Sequence, residues 1–433
     1  MVKETLKQII ADFQAEPFRQ VKARELSLPI ASGKAISLIG PRRSGKSYYF
    51  LHLIQQLIIS GLSKEKVLYL NFEDERLSLS VDDLDFVLQA YRELYPDTKW
   101  QDCYFFFDEI QNIAGWEKFA RRCYDNYTKN VFLTGSNANL LSQEIATAMR
   151  GRTLTFEILP LSFSEYLSFI KINPKQHDSA TRNIINQGLI SYLEEGGYPE
   201  IVLLPAGLKI QALQEYFDVM TYRDLVERYE FTNLPVVKYL LKKLATLTGS
   251  YVSLNKIYKD LRSQGYKLDK NLLYEVNEAA KAVYLSMPVS KFDFSELKQI
   301  NSDKKNYFID NGLLNAITFK FSKDLGRLLE NACYLQLRRL KKKVFYYKDT
   351  KECDFIIFEN ERPLPVQVAY SVEDPETYER EVNGLLHACK KLNVKNGVLI
   401  TDTRVRQENT IGGVLIDHLP AQGFLLGIEH IGG

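Results

Sequence analysis

"GPRRSGKSYYF", Gly40 to Phe50, decides how the rest of the chain is read. It fits GxxxxGK[ST], with Gly40, Gly45, Lys46 and Ser47 at the fixed positions and Pro41, Arg42, Arg43 and Ser44 between them. Before it, KAISLI (34–39) reads as a short buried strand. After it, the run YYFLHLIQQLI, starting at Tyr48, has the apolar density of a buried helix. Strand, glycine turn and helix are the context this motif requires. Glycines let successive backbone N–H groups curl around phosphates, which also sit at a helix N-terminus. Lys46 would reach the β- and γ-phosphates, and the Ser47 hydroxyl would ligate Mg2+.

Such a loop needs a distant acid at the end of a second buried strand. CYFFFDE (103–109) supplies an apolar strand ending in two carboxylates. Asp108 would hold the Mg2+ shell and Glu109 would polarise the attacking water. The doublet points away from small GTPases and toward ATPases that use a glutamate base. VLYLNF (67–72) and NVFLTGSNANL (130–140) add two more strands, the latter with Thr134, Gly135, Ser136 and Asn137 at its end. Asn137 is the candidate there to touch the γ-phosphate or the water. Four strands alternating with helices imply an α/β, doubly wound parallel sheet with ligands at the strand C-terminal ends.

At 433 residues the chain exceeds one ordinary core, so several domains are expected. A composition of 45% hydrophobic and 25% charged residues is that of a globular protein, and a net charge of +2 makes any basic surface local. Cys103, Cys123, Cys333, Cys353 and Cys389 form no CxxC pair, which argues against a zinc site or a disulfide framework. MVKETLKQIIADFQAEPF carries acids and breaks its apolar run early, unlike a signal peptide. No stretch approaches the roughly 20 apolar residues of a membrane span. A cytoplasmic protein is expected.

Between Leu234 and Asn306 there are 13 Lys/Arg against 7 Asp/Glu. Helices are expected from Pro235, from the Ser253 cap and from Asp269, followed by a hairpin built from AVYLSMPV and KKNYFI. That order describes a winged helix. Its third helix would present Lys267, Lys270, Asn271 and Tyr274 to DNA phosphates. A solvated lysine-rich face is the alternative. Further on, GRLLENACYLQLRRLKKK reads as an amphipathic helix, with Arg338 and Arg339 opening a basic stretch. Strands VFYY, CDFIIF and LPVQVAYS, helix PETYEREVNGLLHACKKL and strand NGVLIT follow, the core order of restriction-endonuclease-like folds. Glu330 and Asp354 stand where two metal ligands of active members belong. Where those carry E-x-K, this chain has Gln367-Val368-Ala369, so no nuclease activity is expected.

GPRRSGKS, FFFDEIQNIAGWEKFARRCYD, FLTGSNANLLSQEIATAMRGR and ILPLSFSEYL together resemble the prokaryotic AAA+-type ATPases known as "ATP-binding protein", which carry a C-terminal domain of unknown function. The resemblance covers nearly the whole chain. Together with the element order read above, it gives an AAA+-like P-loop ATPase domain (1–160), a helical lid or connector (161–232), a winged-helix domain (233–320) and an inactive restriction-endonuclease-like α/β domain (321–433) as the expected organisation. It also implies that Arg150 and Arg152 act as fingers on a neighbour's γ-phosphate. The active form would then be a homo-oligomer, with a hexameric ring among the candidates; a local cap or ion pair is the other reading of these arginines. ATP and Mg2+ are the implied cofactors. Two functions remain open at this point: remodelling of branched or duplex DNA, and an ATP-dependent switch acting on a protein partner.

Overall fold

The computed structural model describes residues 2–18, 20–136, 149, 151–173, 179–319, 324–403 and 405–431; Asn137 and Arg150 lie outside the described residues. Strand β1 (Ala35–Ile39) is buried at every position. With β2 (Val67–Asn71), β3 (Tyr104–Asp108), β4 (Asn130–Gly135) and β5 (Thr153–Glu157) it forms a sheet of order β2-β3-β4-β1-β5. Every neighbouring pair is parallel. Register sets Ile39 beside Gly135 and Glu157, and Asn71 beside Asp108, so the C-terminal ends share one edge. β4 thereby separates the strand before the glycine loop from the strand that carries the acids.

Alternation along the strands divides the apolar residues between two faces. Phe105 and Phe107 join a core with α1 (Val2–Ala15), α3 (Leu84–Leu94) and α4 (Trp116–Asn126). Phe106 lies in the opposite core with Phe50, Leu53 and Ile54 of α2 (Lys46–Ile59). There its ring stacks on Phe132 at 4.5 Å and meets Phe50 edge-on at 5.2 Å. Burying a ring of this kind contributes roughly 1.5–3 kcal/mol. Strand β5 escapes a reading by hydrophobicity because it is half-exposed along most of its length.

The chain divides into two compact units, 1–158 and 159–433. The second opens with α5 (Phe163–Phe169), whose start is a reciprocal capping box between Ser162 and Glu165. Helices α6 (Ser179–Glu195), α7 (Pro199–Leu203) and α8 (Ala206–Val219) follow, the last continuing as a π-helical segment, Met220–Glu227. Next come α9 (Leu234–Thr246), α10 (Leu254–Ser263) and α11 (Lys270–Ala282), with β6 (Ser250–Val252), β7 (Met287–Val289) and β8 (Lys304–Tyr307) in an antiparallel sheet of order β6-β8-β7. Ser253 accepts a backbone N–H at the start of α10, the cap read from sequence, and Asp269 does the same at the start of α11. AVYLSMPV is only partly a strand. Ala282 still belongs to α11, the Leu285 and Ser286 N–H groups return to the Ala280 carbonyl, and pairing begins at Met287. Its apolar run reflects burial of the helix end rather than an extended chain.

After α12 (Glu296–Asn301) and α13 (Asn311–Ile317), helix α14 (Leu325–Arg339) leads into a six-stranded mixed sheet. Its strands are β9 (Phe345–Lys348), β10 (Glu352–Glu359), β11 (Arg362–Val368), β12 (Asn396–Thr401), β13 (Gln407–Ile411) and β14 (Val414–Pro420), in the order β13-β14-β12-β11-β10-β9. Helix α15 (Pro375–Leu392) crosses between the parallel strands β11 and β12. The two sheets of this unit meet at Tyr346, which accepts from the Phe292 N–H at 2.7 Å and donates its own N–H to Ser290 at 3.1 Å. No helix among the described residues is long and apolar enough to cross a membrane.

Candidate nucleotide site

The loop from Gly40 to Gly45 joins β1 to α2 at the aligned strand ends. A Cβ at Gly40 would lie 2.2 Å from the Ile158 carbonyl oxygen, so only glycine fits there. Gly45 (φ 98°) and Arg43 (φ 63°) both lie in the left-handed region, which turns the chain back on itself before α2. Arg24 donates to the Ser44 carbonyl at 2.8 Å, and Arg42 pairs with Glu73 at 2.8 Å, bracing the loop from two sides. Ser44 Oγ is buried with no hydrogen-bond partner among the described residues, the orphaned donor expected of a cradle for an anion. Tyr48 is exposed beside the loop, while Tyr49 turns inward and donates to the Leu26 carbonyl at 2.8 Å.

Lys46 is almost wholly buried. Its ammonium donates to the Gly40 and Pro41 carbonyls at 3.2 and 3.1 Å and lies 3.1 Å from Glu109 Oε1. Asp108 ends β3. Its carboxylate accepts from Tyr69 at 2.9 Å, from Thr134 at very short range, and from the Ser47 hydroxyl. Burial and then the Glu109 charge raise the Asp108 pKa, against the pull of these three hydroxyls. Glu109 sits at φ 51°, a strained conformation for a side-chain-bearing residue. Its N–H donates to Thr134 Oγ1 at 2.8 Å, and its Oε2 accepts from Gln111 at 2.6 Å. Burial works against ionisation of Glu109. The Lys46 charge, the Gln111 hydrogen bond and the Arg42 charge outweigh it and hold the carboxyl below its ordinary range.

The structure thus brings Gly40, Pro41, Lys46, Ser47, Asp108 and Glu109 to one place. Thr134, named in the sequence at the end of β4, joins them, and Gln111 and Tyr69 complete the site without having been singled out. Thr134 was legible as a polar residue at a strand end and Gln111 as part of DEIQ, whereas Tyr69 is hidden inside an apolar strand. Arg152 lies at the surface in an ion pair with Asp125 at 2.8 Å.

In the second unit Lys267, Lys270, Asn271 and Tyr274 are all exposed around the first turns of α11, with the Lys270 ammonium 5.7 Å from the Tyr274 ring centre. Arg338 and Arg339 stand apart from this group. Arg338 lies over the buried Tyr284 ring at 5.9 Å, and Arg339 donates to the Pro160 and Leu161 carbonyls at 2.8 and 3.1 Å. Glu330 and Asp354 do converge, but around a lysine, Lys305 of β8.

An AAA domain family matches residues 32–167, and two domains of unknown function, DUF8612 and DUF4143, match residues 186–324 and 325–417. An uncharacterized protein of Methanocaldococcus jannaschii is 36% identical, with 86% of this chain and 82% of that protein aligned. An uncharacterized protein of Haemophilus influenzae is 31% identical over 86% of this chain and 90% of its own length. Among solved structures, a Walker-type ATPase of Pyrococcus abyssi is similar at 14% identity and a TM-score of 0.41, covering 72% of this chain and 94% of that one. The chain belongs to the family of the two curated relatives and is an AAA+-type P-loop ATPase followed by domains of unknown function.

Proposed function

We propose that this ATPase binds ATP with Mg2+ in the loop of the first unit and couples its turnover to contact with duplex or branched DNA through the second. The observation that carries the reading is the convergence of Lys46, Ser47, Asp108 and Glu109 on the glycine loop, with the two acids and Lys46 held by named partners. Ser47 hydroxyl and Asp108 carboxylate are hard oxygen donors and fit Mg2+. When bound, the ion would neutralise charge on the phosphate oxygens. Lys46 exchanges Glu109 for a phosphate oxygen, and the freed Glu109 carboxylate accepts the proton of the attacking water. Thr134 holds both acids in register from β4, and Gln111 orients Glu109 Oε2.

Contact with DNA rests on α11. Two exposed lysines, an asparagine and an exposed aromatic ring at one helix start are suited to phosphate and sugar contacts, in a winged-helix-like order of helices and antiparallel strands. Arg150 and Arg152 are proposed as fingers toward a neighbouring copy in a homo-oligomer. For Arg152 this means leaving Asp125, an exposed pair of the kind that contributes at most about 1 kcal/mol. The test is ATP turnover with duplex, fork and junction DNA. Stimulation by at least one of them, lost in K267E/K270E, is expected. Turnover indifferent to all three, together with no salt-sensitive DNA binding, overturns the DNA half of the proposal.

A further inference from the structure

Lys305 stands on β8, the middle strand of the three-stranded sheet, and is 1% exposed. Its ammonium lies 2.8 Å from Glu330 Oε1, 2.9 Å from Glu352 Oε1 and 2.8 Å from Asp354 Oδ1. Glu330 comes from α14, and Glu352 and Asp354 come from β10 of the six-stranded sheet. Three carboxylates from two elements therefore offer one oxygen each to a common point, and a cation carried by a third element fills it. The cluster is braced by its neighbours. Tyr307 donates to the same Glu330 Oε1 at 2.6 Å, and the Val368 N–H donates to the other Asp354 oxygen, Oδ2, at 3.0 Å.

Restriction-endonuclease-like folds imply a divalent cation at Glu330 and Asp354, and the residues present do not fit one. The cation position is taken by the ammonium. The next strand offers Gln367, whose amide is turned to Glu381 at 2.5 Å and to the Asp354 N–H at 3.2 Å, and then Ala369. Burial works against the charge on Lys305, yet Asp354, Glu330 and Glu352 raise its pKa well above the ordinary lysine value.

We infer that Lys305 is a built-in cation that takes the place of a divalent metal ion and fastens the three-stranded sheet to the six-stranded one, so that a metal site exists here only when the lysine is removed. A lysine held within hydrogen-bond distance of three carboxylates also leaves no open position for a water nucleophile. The cluster acts as a joint.

The experiment counts bound Mn2+ by electron paramagnetic resonance on the full-length, nucleotide-free chain. Wild type, K305A and K305A/D354N are compared, so that any Mn2+ at Ser47 and Asp108 is common to all three. K305A is expected to gain one Mn2+ bound at least tenfold more tightly than any in this unit of the wild type, and K305A/D354N to lose it. The melting temperature of K305A should fall and recover with Mn2+, by more than any rise that Mn2+ gives the wild type. Folded K305A with no added Mn2+ overturns the inference. Should K305A fail to accumulate as soluble protein, wild type and D354N decide: equal Mn2+ occupancy supports the lysine as the resident cation, and Mn2+ in wild type that D354N abolishes contradicts it.

Discussion

Lys46 Nζ lies 3.1 Å from Glu109 Oε1, so the cation that a phosphate needs and the carboxylate that a water needs neutralise one another in this structure. Incoming phosphate charge has to displace Glu109 from the lysine. E109Q removes the competing charge, and it should bind ATP as tightly as wild type or about fivefold more tightly, a difference of about 1 kcal/mol, while turnover is lost. K46A strips the phosphate of its buried cation and should weaken binding by on the order of 2–5 kcal/mol. Equilibrium binding and steady-state turnover of the two variants check both outcomes.

Thr134 is the link between the acids. One hydroxyl donates to Asp108 and accepts from the Glu109 N–H. T134V keeps the shape and takes one hydrogen bond from each group, leaving Asp108 with Tyr69 and Ser47, and kcat should drop about 10–100-fold, the usual cost of losing a supporting hydrogen bond at such a site. T134S should recover most of it. An unchanged kcat in T134V would remove Thr134 from the machinery.

Lys267 and Lys270 are exposed at the start of α11. If each neutralises one DNA phosphate, K267A/K270A should lower the slope of log K against log salt by about 2. Y274A should weaken binding with little change in that slope. Fluorescence anisotropy over a salt series separates the two. Identical slopes in wild type and the double variant would exclude the helix start from the interface.

Asp310 is buried at the start of α13, where it accepts from Gly197 N–H at 2.6 Å and Leu313 N–H at 2.8 Å. Burial pushes its pKa up to about 6, against those hydrogen bonds. A carboxyl whose folded pKa exceeds its unfolded value takes up a proton on folding, so its contribution to stability grows as pH falls through about 6 toward 4 and is absent well above 6. D310N, which cannot titrate, should show a smaller gain between pH 7.5 and pH 5 than wild type, by at most about 1.4 kcal/mol, the worth of the one pH unit below 6 that the window spans. Urea melts at both pH values measure it, and equal gains would contradict the assignment.

The first unit was legible because its motif residues sit at fixed spacings and its inner strands are continuous apolar runs. KAISLI, CYFFFD and VLYLNF each fall within a residue of the observed strand. The half-exposed edge strand β5 carries no such run and was not legible. Capping chemistry read true at Ser253 because a short hydroxyl side chain before an apolar helix has one main use there. Lys305 was hidden for a different reason. In sequence it is one of two adjacent lysines opening a strand, and only the pairing of β8 beside β6 and β7 brings it to Glu330 and Asp354. Basic residues were equally ambiguous by type. Those at α11 face solvent, whereas Arg338 and Arg339 turn to Tyr284 and to backbone carbonyls.

The central claim, that the glycine loop and the paired acids clasp one nucleotide triphosphate, is tested most directly by isothermal titration of ATP into the full-length chain with MgCl2 present. One ATP per chain in the wild type, retained in E109Q and lost in K46A, is the expected result. Folded wild-type protein that takes up no adenine nucleotide, or K46A that binds it as well as wild type, would contradict it.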